Sequence, residues 1–217
     1  MPGWSISVEI FFYSLFPLIF YFLKKYTFKT VSIAIITIWI ISQLFTHFFI
    51  MNFYEGYPSK SHDFIFYFPI IHLNEFLIGN LSALFFLTKM KIKNYDILII
   101  LFVLLTIAIF KFTSLQLHNG LLAITFAPLI ILISANTGYI TKIFDNKILR
   151  YLGEVSYSLY ILQYPVNVIM KKTFIYYSIP TNNMQFFSVF VLVLLAFSII
   201  SYELIEKNTR RLIKNFL

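Results

Sequence analysis

The chain has 217 residues, of which 59% are hydrophobic and 12% charged, with a formal net charge of +8 and a mean hydropathy of +0.82. A soluble domain carries about 25% charged residues to clothe its surface, so these figures exclude a water-facing globule and indicate an integral membrane protein. The positive charge is assigned to basic membrane-flanking loops rather than to a nucleic-acid surface, and the absence of cysteine excludes disulfides and thiolate metal sites.

A helix crossing the hydrocarbon needs roughly 20 mostly apolar residues. Seven segments meet that pattern in chain order: 8–23, 31–54, 64–88, 95–113, 119–140, 155–177 and 184–205. Only helices or closed barrels satisfy their backbone groups in lipid. The expected fold is therefore all-α, a polytopic transmembrane helix bundle of about seven spans forming a single domain over residues 1–217.

The first span is entered through "WSISVEIFFY", which places Trp4, Ser5, Ser7 and Glu9 at its threshold. A carboxylate at mid-bilayer costs roughly 2.5–3.5 kcal/mol on insertion scales, so Glu9 is a candidate functional group. The third span holds His72 and Glu75 in "FPIIHLNEFLIGN", three residues apart and thus on one helix face. The pair either holds helices together or marks a polar pocket; Asn74, Asn80, Gly79 and Ser82 add polarity and room for close packing. The sixth span opens on "YLGEVSYSLYILQYP". Ser156, Tyr157, Ser158 and Tyr160 crowd its first turns, and Pro165, after Gln163, is expected to interrupt the helix. Tyrosines at such a depth also serve as interfacial anchors. The seventh span ends in "SYELIEKNTRRL", where Glu203 and Glu206 meet Lys207, Arg210 and Arg211 as an electrostatic clasp at the membrane surface.

The basic residues alternate by loop. Thirteen of the 17, including Lys24, Lys89, Lys142, Lys147, Arg150 and the tail, fall on one side. Positive-inside bias puts that side and the C-terminus in the cytoplasm, and Met1 outside. Residues 1–9 lack a basic n-region and a cleavage site, so the chain is expected to be the C-terminal part of something longer.

Four stretches in order resemble the acyltransferase 3 family of membrane acyltransferases. "WSISVEIFFYSLFP" is similar to the family's central signature through Trp4, Ser5, Ser7, Glu9, Tyr13 and Pro17. "HLNEFLIG" retains Glu75, Phe76 and Gly79; "LGEVSYSLYILQYP" and "SYELIEKNTR" resemble the late motifs. Three positions depart: His72 replaces an arginine, Gln163 a histidine and Asn208 a proline. Gln163 cannot cycle a proton near neutral pH as histidine does.

The resemblance implies O-acyl transfer, typically O-acetylation, to a hydroxyl of a cell-surface glycan or similar acceptor. The donor is acyl-CoA, acetyl-CoA in the usual case, taken from the cytoplasm as substrate rather than held as a tight cofactor. It implies Glu9 as a catalytic or orienting carboxylate, and Trp4, Ser7, Tyr13, His72, Glu75, Ser156, Tyr157 and Gln163 around the acceptor. CoA contact falls to Lys142, Lys147 and Arg150, since the six glycines form no phosphate-cradling loop. Expected surroundings are membrane lipid, a bacterial plasma membrane and no nucleic acid. The family's usual arginine–histidine pair lies on preceding helices, expected here from a separate or longer chain, without which this one would not turn over. A polytopic transporter of a polar or sugar-like substrate is the alternative, with His72, Glu75 and the sixth span lining a path.

Overall fold

The computed structural model describes residues 3–113, 117–178 and 182–216, with the side chains of residues 3 and 213–216 excepted. Met1, expected outside, and the Lys214 side chain in the basic tail fall beyond that description. Of the described residues 83% are helical and none lies in a strand. The helices are α1 (Gly3–Lys25), α2 (Phe28–Phe53), α3 (Lys60–Tyr67), α4 (Leu73–Lys89), α5 (Asp96–Phe112) and α6 (Ala123–Ala135). They continue with α7 (Tyr139–Phe144), α8 (Lys147–Tyr176), α9 (Asn183–Ser201), a π-helical turn (Tyr202–Glu206) and α10 (Lys207–Phe216). Among the described residues, three stretches are long and apolar enough to cross a membrane: Trp4–Lys25, Phe28–Phe53 and Asn183–Leu212.

Helices α2, α5 and α9 are apolar around their circumference. Ile40, Leu44, Leu104 and Leu192 are all exposed, as befits helices whose outer face meets hydrocarbon. Each segment expected to span is helical, but two differ in form. The third is broken over Phe68–His72, where Pro69 holds Phe68 extended (φ −78°, ψ 121°) and ends α3; the residue before a proline avoids the helical region. The fifth is reduced to the 13 residues of α6, about 20 Å long against a hydrocarbon core of about 30 Å. Asn119 and Gly120 precede it with positive φ, and a short bridge between Lys93 and Asn136 follows it.

Two compact units form, Gly3–Ile143 and Phe144–Leu217. In the first, Val31 and Ile35 of α2 bury against Leu77 of α4, while Tyr95 and Ile99 bury against Leu132 and Ala135. The loop joining α4 to α5 is tied to the end of α6 by Asn136. Its Oδ1 accepts from the Tyr95 and Gly138 amides, and its Nδ2 donates to Asp96 Oδ1 at 2.8 Å. Asp96 also accepts from the amides of Tyr139 and Ile140, fixing the start of α7.

In the second unit α8 packs along α9. Pro165 does not interrupt α8, which runs continuously through it; neighbours re-satisfy such sites in apolar surroundings. Val155, Ser158, Val166 and Met170 form the buried stripe of α8. The π-helical turn aims Glu206 at Ser158 Oγ, which donates to it, and Tyr202 donates to Glu154. Among the described residues, the expected clasp contains one ion pair, from Glu203 to Lys207 Nζ at 2.6 Å, and Glu203 also accepts from Tyr151. Burial pushes the Tyr151 hydroxyl above its ordinary pKa, and the adjacent Glu203 carboxylate adds to the rise.

Candidate active site

The α3–α4 break sets the geometry of a large cavity in the first unit. His72 ends the break at the N-cap of α4 and is buried. Its Nε2–H donates to the Phe66 carbonyl at 3.1 Å, while Nδ1 stands 3.4 Å from Glu75 Oε1. The two side chains differ in access: His72 is 11% exposed and Glu75 42%. Glu75 is thus the partner whose carboxylate reaches open space, and His72 is the ring that holds it. Trp4 of α1 packs its indole on His72 and Tyr67, with ring centroids 5.7 Å and 5.3 Å apart. The pair both joins elements and lines a pocket, so the two readings of the sequence are compatible.

Behind this pair lies a polar lattice. Asn74, only 2% exposed, donates to Ser42 Oγ at 3.0 Å and to the Ile71 carbonyl at 2.7 Å. Gln43 of α2 bridges Asn74 Oδ1 and the Asn119 carbonyl. Trp39 donates to the Gly120 carbonyl at 2.8 Å, and Asn119 donates to Ile65. These bonds clamp the turn before α6 against α2 and the α3–α4 break. Gly120 has φ +89°, and a Cβ there would collide with Asn74 Oδ1 and lie 2.9 Å from Glu75 Cγ.

The cavity has a volume of about 1060 Å³, at the top of the roughly 300–1,000 Å³ usual for small-molecule sites. Its mouth is formed by Trp4, Tyr54, His62, His72, Glu75 and His118. Below the mouth it follows one face of α4, Ile78, Gly79, Ser82, Ala83 and Phe86, and one face of α6 from Ala123 to Ser134. Both faces repeat at three and four residues, the spacing of a single helical side.

Of the expected site residues, Trp4, His72 and Glu75 are brought together there. Ser7, Glu9 and Tyr13 are exposed on α1 and are not in the lining. They sit beside Val8 and Phe12, which are buried, Phe12 stacking on Phe76 at 4.8 Å. Ser156, Tyr157 and Gln163 are exposed on α8, with Ser156 donating to the Gly153 carbonyl. Lys142 in the first unit, and Lys147 and Arg150 in the second, are exposed; Arg150 pairs with Asp145 at 2.8 Å.

His62 and His118 were not among the expected residues. Tyr54 Oη lies 3.0 Å from His62 Nδ1, and His118 packs edge-on to Phe66 at 4.9 Å. The sequence signal for His118 is the "HNG" turn, which folds the chain back onto α4. Among the described residues no group of three or more His, Cys, Asp or Glu could hold a metal ion.

The sequence model of a family described as an acyltransferase domain matches residues 1–203 of the chain. No curated protein and no solved structure matches it.

Proposed function

Because the chain belongs to the acyltransferase 3 family of membrane acyltransferases, we propose that it transfers an acyl group, in the simplest case acetyl, from acyl-CoA to a hydroxyl of a cell-surface glycan. The observation that carries the reading is the His72–Glu75 pair at the mouth of a cavity wide enough for a substrate. In the proposed reaction Glu75 takes the proton of the acceptor hydroxyl, and the hydroxyl oxygen bonds to the thioester carbonyl carbon. The carbon–sulfur bond then breaks, and the thiolate of CoA takes up a proton. A positioned general base is worth about 10²–10⁴-fold in such a step. His72, fixed by Phe66, orients Glu75.

Glu9, with Ser7 and Tyr13 nearby on α1, is proposed as the second carboxylate, binding or orienting the acceptor. Ser156, Tyr157 and Gln163 are proposed as further acceptor contacts, and Lys142, Lys147 and Arg150 as the cationic contacts of the CoA phosphates. Both units would serve one domain over residues 1–217, since the family match runs across both. Transport of a polar solute has less support, because below Glu75 the described lining is apolar apart from the hydroxyls of Ser82 and Ser134.

The test is acyl transfer in lipid vesicles by the chain co-expressed with a separate segment that bears the family's arginine–histidine pair, with radiolabelled acetyl-CoA and a panel of glycan acceptors. Labelled, base-labile ester on the glycan is expected. Hydrolysis of the thioester without ester formation on any acceptor would overturn the assignment.

We also propose a seven-span arrangement with a cytoplasmic C-terminus in the bacterial plasma membrane. Single cysteines at Glu55 and Phe144, both exposed, test it in a chain that has no cysteine of its own. An impermeant maleimide added to intact cells is expected to label E55C alone. Equal labelling of both would remove the seven-span arrangement.

A further inference from the structure

We infer that the slot between α4 and α6 binds the single hydrocarbon chain of a neutral glycolipid, whose sugar hydroxyls lie at the mouth as the acyl acceptor. The inference rests on the acyltransferase reading above and names the acceptor class for that same site. Three features carry it.

The first is shape. The lined face of α4 runs from Glu75 to Phe86 and that of α6 from Ala123 to Ser134, eleven residue steps each, or about 16 Å at 1.5 Å per residue. That length holds an extended chain of roughly a dozen carbons, since a carbon–carbon bond is about 1.5 Å and each advances the chain by slightly less. Gly79, Ser82 and Ala83 on one wall and Ala123 and Ala127 on the other keep the slot open.

The second is segregation of polarity. The titratable groups of the lining stand at one end, and below them the walls are aliphatic and aromatic apart from the small hydroxyls of Ser82 and Ser134. An amphiphile with one polar end matches that division. A free sugar would leave the slot unfilled, and a plain hydrocarbon would leave the mouth unused.

The third is charge. No lysine or arginine occurs among the described lining residues, and the mouth carries the Glu75 carboxylate. A phospholipid headgroup or the phosphates of CoA would bring negative charge there with no permanent cation to meet it. A neutral sugar instead finds imidazoles and a carboxylate for its hydroxyls, and Trp4, Tyr54 and Tyr67 for its apolar faces.

The test uses the protein held in amphipol, with β-alkyl glucosides of four to sixteen carbons kept below their micellar concentrations. Binding is followed by displacement of radiolabelled decyl glucoside. Affinity is expected to rise about fourfold per methylene and to level off near twelve carbons. Ala83→Phe and Ala127→Phe shorten the slot from opposite walls, and either should bring the plateau several carbons earlier while butyl glucoside binds as before.

Affinity that ignores chain length, or that climbs alike in both shortened variants and the parent, would overturn the inference. So would displacement of the label by a single-chain anionic phospholipid as effectively as by dodecyl glucoside. Acyl transfer to short and long glucosides at equal kcat/KM would leave the enzyme assignment standing and sink the slot. A plateau in binding with no ester formed on any glucoside would sink the acceptor role itself.

Discussion

Glu75→Gln is expected to leave the protein folded and to lower acyl transfer by about 10²–10⁴-fold, the usual worth of a general base. The amide keeps the volume and one acceptor oxygen, so the contact with His72 Nδ1, 3.4 Å in the parent, survives in form. What disappears is the capacity to take a proton from the acceptor. Stability is expected to change little, because Glu75 is exposed at the mouth and contributes to a half-open pair rather than to a buried one. The measurement is initial rate in vesicles, alongside the detergent melting profile. His72→Gln should act differently. It removes the ring that positions Glu75, so the rate falls less and the pH dependence changes shape. Full activity in Glu75→Gln with an unchanged pH profile would return the pair to a purely structural role.

Gly120→Ala is expected to cost about 3 kcal/mol of stability and most of the activity, although residue 120 has no side chain in any proposed chemistry. Two penalties add. A non-glycine residue at φ +89° pays roughly 1–2 kcal/mol, and crowding a filled site adds typically 1–3 kcal/mol. The new methyl meets Asn74 Oδ1 and Glu75 Cγ, both in the lattice that shapes the mouth. Relief by moving Asn74 would break its bonds to Ser42 and Ile71. Gly79→Ala is the control: a Cβ there meets nothing within 4 Å, and alanine favours a helix by roughly 0.5–1 kcal/mol over glycine. Equal melting of the two variants, measured by denaturation in mixed micelles, would show that the turn before α6 can relax.

The helical class and the membrane setting were legible from hydropathy, because apolar runs of this length have few other solutions in lipid. The pairing of His72 with Glu75 followed from helical spacing, and the structure retains it even though the helix only begins at Leu73. The break itself was signalled by Pro69, but hydropathy averages over it: Phe68, Ile70 and Ile71 are as apolar as any span. Pro165 carried the same signal and is tolerated inside α8. A proline shows where a helix bond is lost, and the surroundings decide whether the helix ends. His62 and His118 were hidden for another reason. They join the mouth through tertiary folding of two turns, and no periodicity relates residues more than 50 positions apart.

Helices α4 and α6 enter from the same end, so their first turns both lie toward the mouth, with most of their amides bonded to carbonyls of the turns before them. Each contributes a partial positive charge equivalent to roughly half an elementary charge. Glu75 sits in the first turn of α4, with no lysine or arginine among the described residues of the lining. The potential of the helix ends falls on an oxyanion forming as the thioester carbonyl is attacked, and fixed dipoles need no reorganisation when charge appears. In the proposed reaction the backbone itself would therefore supply a field along the slot that side-chain substitution at the mouth leaves in place.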